Sequence, residues 1–304
     1  MRLALMIEGQ EGVTWLQWVA LARACEDAGL EGLFRSDHYS GFVGGEGGSL
    51  DAWGTVTALA AITERIQLGT LVSPATFRHP SILARMVVTA SHVSGGRVEL
   101  GFGAGWNEAE HREHGFTFPS TRERVALFAE QLEIIRRSWS GERFDFTGEH
   151  YELRDAHPVP TPLGKVNVIV GGSAKPGTVG PAVRFADEYN TVFASPEEAG
   201  RRRAAVDAAC EAAGREPLTF SLMTRCVVGE DRAAVDRRVA ALAALGDDMF
   251  ADPQIAIQGT VDDVVDRINA YAEAGVERVM LRHLLVDDLE MIELLGREVL
   301  PRVS

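Results

Sequence analysis

The sequence predicts a closed (β/α)8 TIM barrel. Three observations carry the prediction. Strand-like apolar runs alternate with helix-like runs almost throughout, eight such strands fit within 304 residues, and no low-complexity linker divides the chain. Strands that each lead into a helix build right-handed βαβ units and therefore a parallel sheet. An open doubly wound sheet is the alternative, but eight units over this length favour closure. Residues 1–304 are read as one domain with a small hairpin insertion.

Residues 3–7 form a buried apolar run, followed by an amphipathic helix over 14–28 that Gly29 closes. A short strand at 33–36 leads through a glycine-rich loop into a helix over 51–63. The third and fourth units are strands 66–72 and 98–102 with helices 81–94 and 122–139. Residues 144–153, with Thr147-Gly148 as a turn signal, predict the hairpin. The remaining strands are 166–170, 189–193, 220–228 and 279–281. The helices between and after them begin near Val179 and cover 196–214, 231–245, 261–274 and 287–300. Residues 246–257 match no element.

Composition narrows the function. The formal charge is −14, which argues against a general nucleic-acid binder or a protein of anionic membrane surfaces, since both need a basic face. A small anionic molecule needs only a local positive site. Cys25, Cys210 and Cys226 are too few and scattered for a disulfide framework or zinc site and suit a reducing cytoplasm. The opening apolar run stops at Glu8, which does not suit a signal peptide, and no run of about 20 apolar residues predicts a membrane span. A cytoplasmic protein is expected.

In such a barrel, chemistry sits at the C-terminal ends of the strands. This selects Glu8, Asp37-His38, residues 70–74 and 103–107, Gly171-Gly172-Ser173, and Arg282-His283. Asp37-His38 reads as an acid–base pair, a cofactor clamp or a capping loop. Gly101-Phe102-Gly103-Ala104-Gly105 suggests a dinucleotide fingerprint, but Trp106 stands where the third glycine belongs and the motif follows the wrong strand. Its glycines are instead expected to let the backbone approach a flat ligand. His111 and His114 with Glu110 and Glu113 resemble a metal cluster, yet the HExxH pattern is absent and no metal is expected. The segment Gly171 to Thr178 joins a strand to a helix and holds Lys175, one of two lysines in the chain. It is a candidate anion loop, although it lacks P-loop spacing. The glycines of residues 41–50 suggest a mobile lid.

Several of these segments together resemble the bacterial luciferase-like superfamily. They are residues 28–39, residues 68–74 with Phe77-Arg78-His79-Pro80 behind them, Gly96-Arg97 leading to Trp106 and Glu110-His111, and Val170–Ser173 followed by Ala186–Asn190. Within it, the chain is most similar to the coenzyme F420-dependent oxidoreductases. The resemblance implies a hydride-transferring enzyme with a deazaflavin (FMN in sister branches) over the barrel mouth, a small-molecule substrate and a homodimer. His38 would clamp the ring or donate a proton, with Asp37 setting its tautomer. Glu8 and His283 would lie towards the substrate. Thr70, Leu71 and Val72 would back the ring, Gly103, Ala104, Gly105 and Trp106 would line it, and Gly171, Gly172, Ser173, Lys175 and Thr178 would hold the phosphate. Trp106 replaces a glutamate found in the family's sugar-phosphate dehydrogenases, a departure that weakens any transfer of that activity. An FMN-dependent monooxygenase and a non-catalytic flavin-binding protein on the same fold are the alternatives.

Overall fold

In a computed structural model, residues 1–43, 47–247 and 252–303 are described. Four βα units come first. β1 (Arg2–Ile7), β2 (Gly32–Arg35), β3 (Gln67–Pro74) and β4 (Val98–Gly103) alternate with α1 (Trp15–Asp27), α2 (Ala52–Ala60) and α3 (Pro80–Ser94). A short α4 (Glu108–His114) and the longer α5 (Thr121–Ser138) follow β4. The hairpin β5 (Phe144–Thr147) and β6 (Glu152–Ala156) is antiparallel. The second half comprises β7 (Val168–Gly171), α6 (Pro176–Phe185), β8 (Glu188–Val192), α7 (Pro196–Ala212), β9 (Thr219–Gly229), α8 (Arg232–Ala244), β10 (Ile257–Thr260), α9 (Val261–Glu273), β11 (Arg278–Arg282) and α10 (Leu289–Leu294).

The parallel order β1-β2-β3-β4-β7-β8-β9-β11 closes through β11 pairing with β1, which makes the expected eight-stranded barrel. The helices start where local chemistry supplies caps. Thr14 and Gln17 form a capping box on α1, Ser120 and Glu123 one on α5, and Asp51 caps α2 through the Gly54 amide at 2.7 Å. One extensive apolar layer lies between strands and helices, and a smaller cluster of Ala4, Met6, Phe34, Leu71, Ile169, Met223 and Met280 fills the barrel interior. The N-terminal end of the barrel is plugged by charge. Arg278 is fully buried; it donates to Glu99 at 2.8 and 3.2 Å and to Glu188 at 3.2 Å, and forms an ion pair with Glu31 at 2.6 Å. The open chemistry is thereby left to the other end.

Four elements depart from expectation, the first being the short α4, which stands where a loop between β4 and α5 is expected. β10 was read as no element, because four residues containing a glycine carry little apolar signal; it extends the outer part of β9 by pairing Ile257–Thr260 with Cys226–Gly229. The hairpin turns near Thr147-Gly148, but its second strand lies later, at Glu152–Ala156. The last helix is not continuous: a π-helical stretch (Leu295–Val299) follows α10, where a side chain on Gly296 would lie 2.3 Å from the Ala28 carbonyl. Close contact with α1 shapes this turn. Among the described residues no helix is long and apolar enough to cross a membrane.

Candidate active site

His38 follows β2 at the C-terminal rim and is largely buried. Its Nδ1 lies 2.8 Å from Glu110 Oε2 on α4. A carboxylate only accepts, so Nδ1 carries a proton, and in its neutral form the ring presents Nε2 as an acceptor. Nε2 has no hydrogen-bond partner among the described residues. The other carboxylate oxygen of Glu110 accepts from the amides of Tyr39 at 2.5 Å and Ser40 at 3.3 Å. Burial alone would raise the Glu110 pKa. The hydrogen bond and charge of His38 and the two amides outweigh it and hold the group below the usual carboxylate range. α4 can reach β2 because Asn107 caps it through the Glu110 amide at 3.3 Å, after Gly105 turns the chain at φ 81°.

The carboxylate that orients His38 is therefore Glu110 and not Asp37, which corrects the expected pairing. Asp37 points into the wall. It accepts from Ser73 Oγ at 2.5 Å and from Arg78 at 2.6 and 3.1 Å, and Arg78 also reaches Asp51 at 2.9 Å and the Tyr39 hydroxyl at 3.1 Å. Trp53 Nε1 donates to the same Ser73 oxygen at 3.0 Å. This network anchors the loop that carries His38. The supposed metal cluster is also dispersed. His111 bonds Thr76 Oγ1 at 2.6 Å and the Asn107 carbonyl at 2.6 Å, while Glu113 and His114 meet Ser40 Oγ at 2.5 and 3.2 Å.

At the floor of the mouth, Leu71 lies in the interior cluster and Val72 packs beside it. The Leu71-Val72 peptide is cis, within a register shift of β3 against β4 between Thr70 and Ser73. Thr70 is fully buried and donates to the Gly101 carbonyl at 3.0 Å, so its hydroxyl joins β3 to β4 inside the wall. The glycines of β4 and β7 serve Val72. A Cβ on Gly101, Gly103 or Gly171 would meet Val72 methyls at 3.1, 2.8 and 3.3 Å. The expectation that the β4 glycines clear space for a flat ligand is corrected accordingly: a valine side chain occupies that space. Ala104 packs against the outer core, while Trp106 is 65% exposed.

Glu8 bonds Arg282 Nε at 2.9 Å and Gln10 Nε2 at 2.9 Å, and Arg282 continues to Asp247 at 3.0 Å. His283 is fully buried, so desolvation pushes its pKa down to about 4, and its Nε2 has no partner among the described residues. It is a neutral interior group, not the substrate-side residue expected. The expected lid falls partly outside the described residues, as 44–46 are not described. The described flank is tied down: Glu11 accepts from the amides of Phe42 at 2.8 Å and Val43 at 3.1 Å.

The candidate anion loop divides into brace and open face. Gly172 N–H donates to the Asn190 carbonyl at 2.9 Å as part of the β7–β8 pairing, so it is not the phosphate donor expected of it. A side chain at Gly172 would strike the Tyr189 hydroxyl at 2.5 Å and Thr178 Oγ1 at 2.6 Å. That hydroxyl lies 2.7 Å from Thr178 Oγ1 and accepts from the Ala174 amide at 2.9 Å, so Thr178 braces the loop. Ser173 and Lys175 are exposed, and α6 begins without a side-chain cap. Ser173 has no hydrogen-bond partner among the described residues. Pro176 has no N–H and the Thr178 N–H donates to the Lys175 carbonyl at 3.0 Å, so the Gly177 N–H is the first-turn donor that stands beside the spare Ser173 hydroxyl and fits a phosphate. A separate cavity of about 680 Å³ opens between α8 and residues 284–288, and neither His38 nor residues 171–178 line it.

Comparison with known proteins fits this geometry. The family model described as luciferase-like monooxygenase matches residues 4–278. An F420-dependent glucose-6-phosphate dehydrogenase of Microbacterium testaceum is 28% identical over 91% of this chain and 90% of its own length. An F420-dependent hydroxymycolic acid dehydrogenase of Mycobacterium tuberculosis is 33% identical over 71% of this chain and 60% of its own. Among solved structures, an F420-dependent secondary alcohol dehydrogenase in complex with an F420-acetone adduct superposes with a TM-score of 0.86 at 20% identity, covering 100% of this chain and 99% of that one.

Proposed function

The chain belongs to the luciferase-like monooxygenase family, and within it we propose an oxidoreductase that uses coenzyme F420 to transfer hydride to or from an organic substrate. The observation that carries the reading is the His38–Glu110 pair at the barrel mouth. Two relatives are F420-dependent dehydrogenases, which supports the choice of cofactor.

When bound, the deazaflavin would supply the hydride chemistry and leave the protein to bind, orient and manage one proton. Ser173 and the Gly177 N–H at the start of α6 would hold the phosphate. Tyr189 and Thr178 keep that loop in shape. Leu71 and Val72 offer an apolar floor. His38 handles the proton at Nε2. With Nδ1–H fixed on Glu110, the neutral ring accepts a proton at Nε2, and the resulting imidazolium is stabilised by the carboxylate behind it. Asp37 and Arg78 fix the segment from which His38 projects. Glu8, paired with Arg282 on the strand side of the mouth, belongs to the substrate-side wall in this reading. The homodimer that the resemblance implies is part of the same reading and is checked by light scattering in solution.

Titration of the purified protein with F420 and with FMN, followed by cofactor fluorescence, tests the proposal. Micromolar or tighter F420 binding and clearly weaker FMN binding are expected. FMN co-purifying stoichiometrically, with no response to F420, would overturn it in favour of an FMN-dependent monooxygenase.

A further inference from the structure

Three aromatic rings meet at the mouth. The His38 ring centroid lies 4.8 Å from that of Phe42 at an interplanar angle of 79°, and 5.8 Å from that of Trp106 at 75°. Phe42 and Trp106 are themselves 5.4 Å apart, tilted by 43°. No contact in this trio is a parallel stack. Phe42 is 43% exposed and Trp106 is 65% exposed. A single exposed aromatic residue is ordinary, but two in mutual contact beside a largely buried histidine form an apolar patch at a site of chemistry. Burial of such rings dominates interface energetics, and further aromatic partners add geometry-dependent attraction.

Three carboxylates of the mouth are committed within the chain. Glu110 serves His38 and the Tyr39 and Ser40 amides, Asp37 serves Arg78 and Ser73, and Glu8 bonds Arg282 and Gln10. Beside His38, the exposed rings of Phe42 and Trp106 therefore present mostly apolar surface, with Nε2 of His38 as the open acceptor next to them. We propose that Phe42 and Trp106 form a substrate subsite that selects an uncharged molecule carrying a planar unsaturated ring, with its reacting group next to His38. The inference rests on the oxidoreductase reading, and it assigns Trp106 to the substrate and not to the cofactor.

Isothermal titration calorimetry with acetophenone and cyclohexyl methyl ketone tests it. These probes share a carbonyl and differ in the planarity of the ring; glucose 6-phosphate is the charged comparison. The full-length protein is expected to bind acetophenone at least about 5-fold more tightly than its saturated counterpart and more tightly than glucose 6-phosphate. Trp106→Ala should weaken acetophenone about 10-fold and erase the preference, whereas Trp106→Phe should retain most of it. Because Trp106 is exposed, the variants are compared after circular dichroism shows matching folds. No acetophenone binding, equal affinity for the two ketones, tighter glucose 6-phosphate binding or an unchanged Trp106→Ala variant overturns the proposal. So does a Trp106→Ala variant that loses F420 affinity but keeps the preference among ketones. The cofactor reading is measured separately by F420 titration of the unmodified protein. Failure there, with ketone selectivity intact, removes that reading and leaves the subsite.

Discussion

Glu110 reaches across 72 positions of sequence to place a carboxylate oxygen 2.8 Å from Nδ1 of His38. The pair joins the rim of β2 to the short helix after β4. If Glu110 fixes the tautomer, Glu110→Gln should lower turnover by about 10²–10⁴-fold with a smaller change in cofactor affinity. His38→Ala should cost a similar factor. The double variant should be little worse than either alone, because residues acting as a unit are not additive. Steady-state kinetics of the three variants with an accepted substrate, alongside their F420 titrations, check this.

Tyr189→Phe removes one oxygen from a fully buried ring, leaves the Ala174 amide without that acceptor and leaves Thr178 Oγ1 with the Lys175 carbonyl alone. Such a loss costs about 1–3 kcal/mol. A lower midpoint in urea denaturation and weaker F420 binding are expected together, since the same hydroxyl shapes the loop that presents Ser173. Lys175→Ala should change affinity at most several-fold, as the lysine is exposed and solvent screens its charge.

The packing of Val72 yields a rescue experiment. Gly103→Ala would press its Cβ to 2.8 Å from a Val72 methyl, so overpacking should cost about 1–3 kcal/mol and Val72→Ala should recover much of it. Gly101→Ala is different in kind. Its nearest obstacle is the Thr70 backbone oxygen at 2.0 Å, which truncating Val72 does not move. Urea denaturation of the single and double variants should show rescue for the first pair and little for the second.

His283 sets a pH dependence of stability. Its folded pKa is depressed from 6.5 to about 4 by burial, so the unfolded chain takes up the proton first. Its contribution is complete above 6.5 and is lost as pH falls towards 4, by on the order of 3 kcal/mol. Stability measured by denaturant at pH 7, 6, 5 and 4 should decline across that window. His283→Gln, whatever its cost at pH 7, should flatten the decline.

Much of the barrel was legible because most barrel strands are apolar runs and most of the helices carry their own caps. Thr14, Asp51 and Ser120 mark their helices in the local sequence. The site was legible only as far as position along a strand goes. His38 and Ser173 stand at strand ends and could be named from that alone. Glu110 was visible only as one acidic residue among neighbouring histidines, since its partner lies on another βα unit. Asp37 and His38 are adjacent in sequence, yet Asp37 turns to Arg78 and Ser73 in the wall while His38 meets Glu110. Likewise, the glycines of β4 signalled close approach, but which atoms approach them depended on the bulge in a neighbouring strand.

Val72 and the glycines around it make the width of this mouth a shared property of three strands. The valine methyls occupy room left by Gly101 and Gly103 on β4 and by Gly171 on β7, so one side chain sets a dimension that three backbones have already conceded. Widening the entrance therefore takes a single shortening at position 72, and the surface it uncovers is main chain. Narrowing it through Gly103 or Gly171 meets that valine first, whereas Gly101 meets the Thr70 backbone oxygen. For redesign of what this barrel admits, position 72 is the adjustable element and the glycines are its fixed frame.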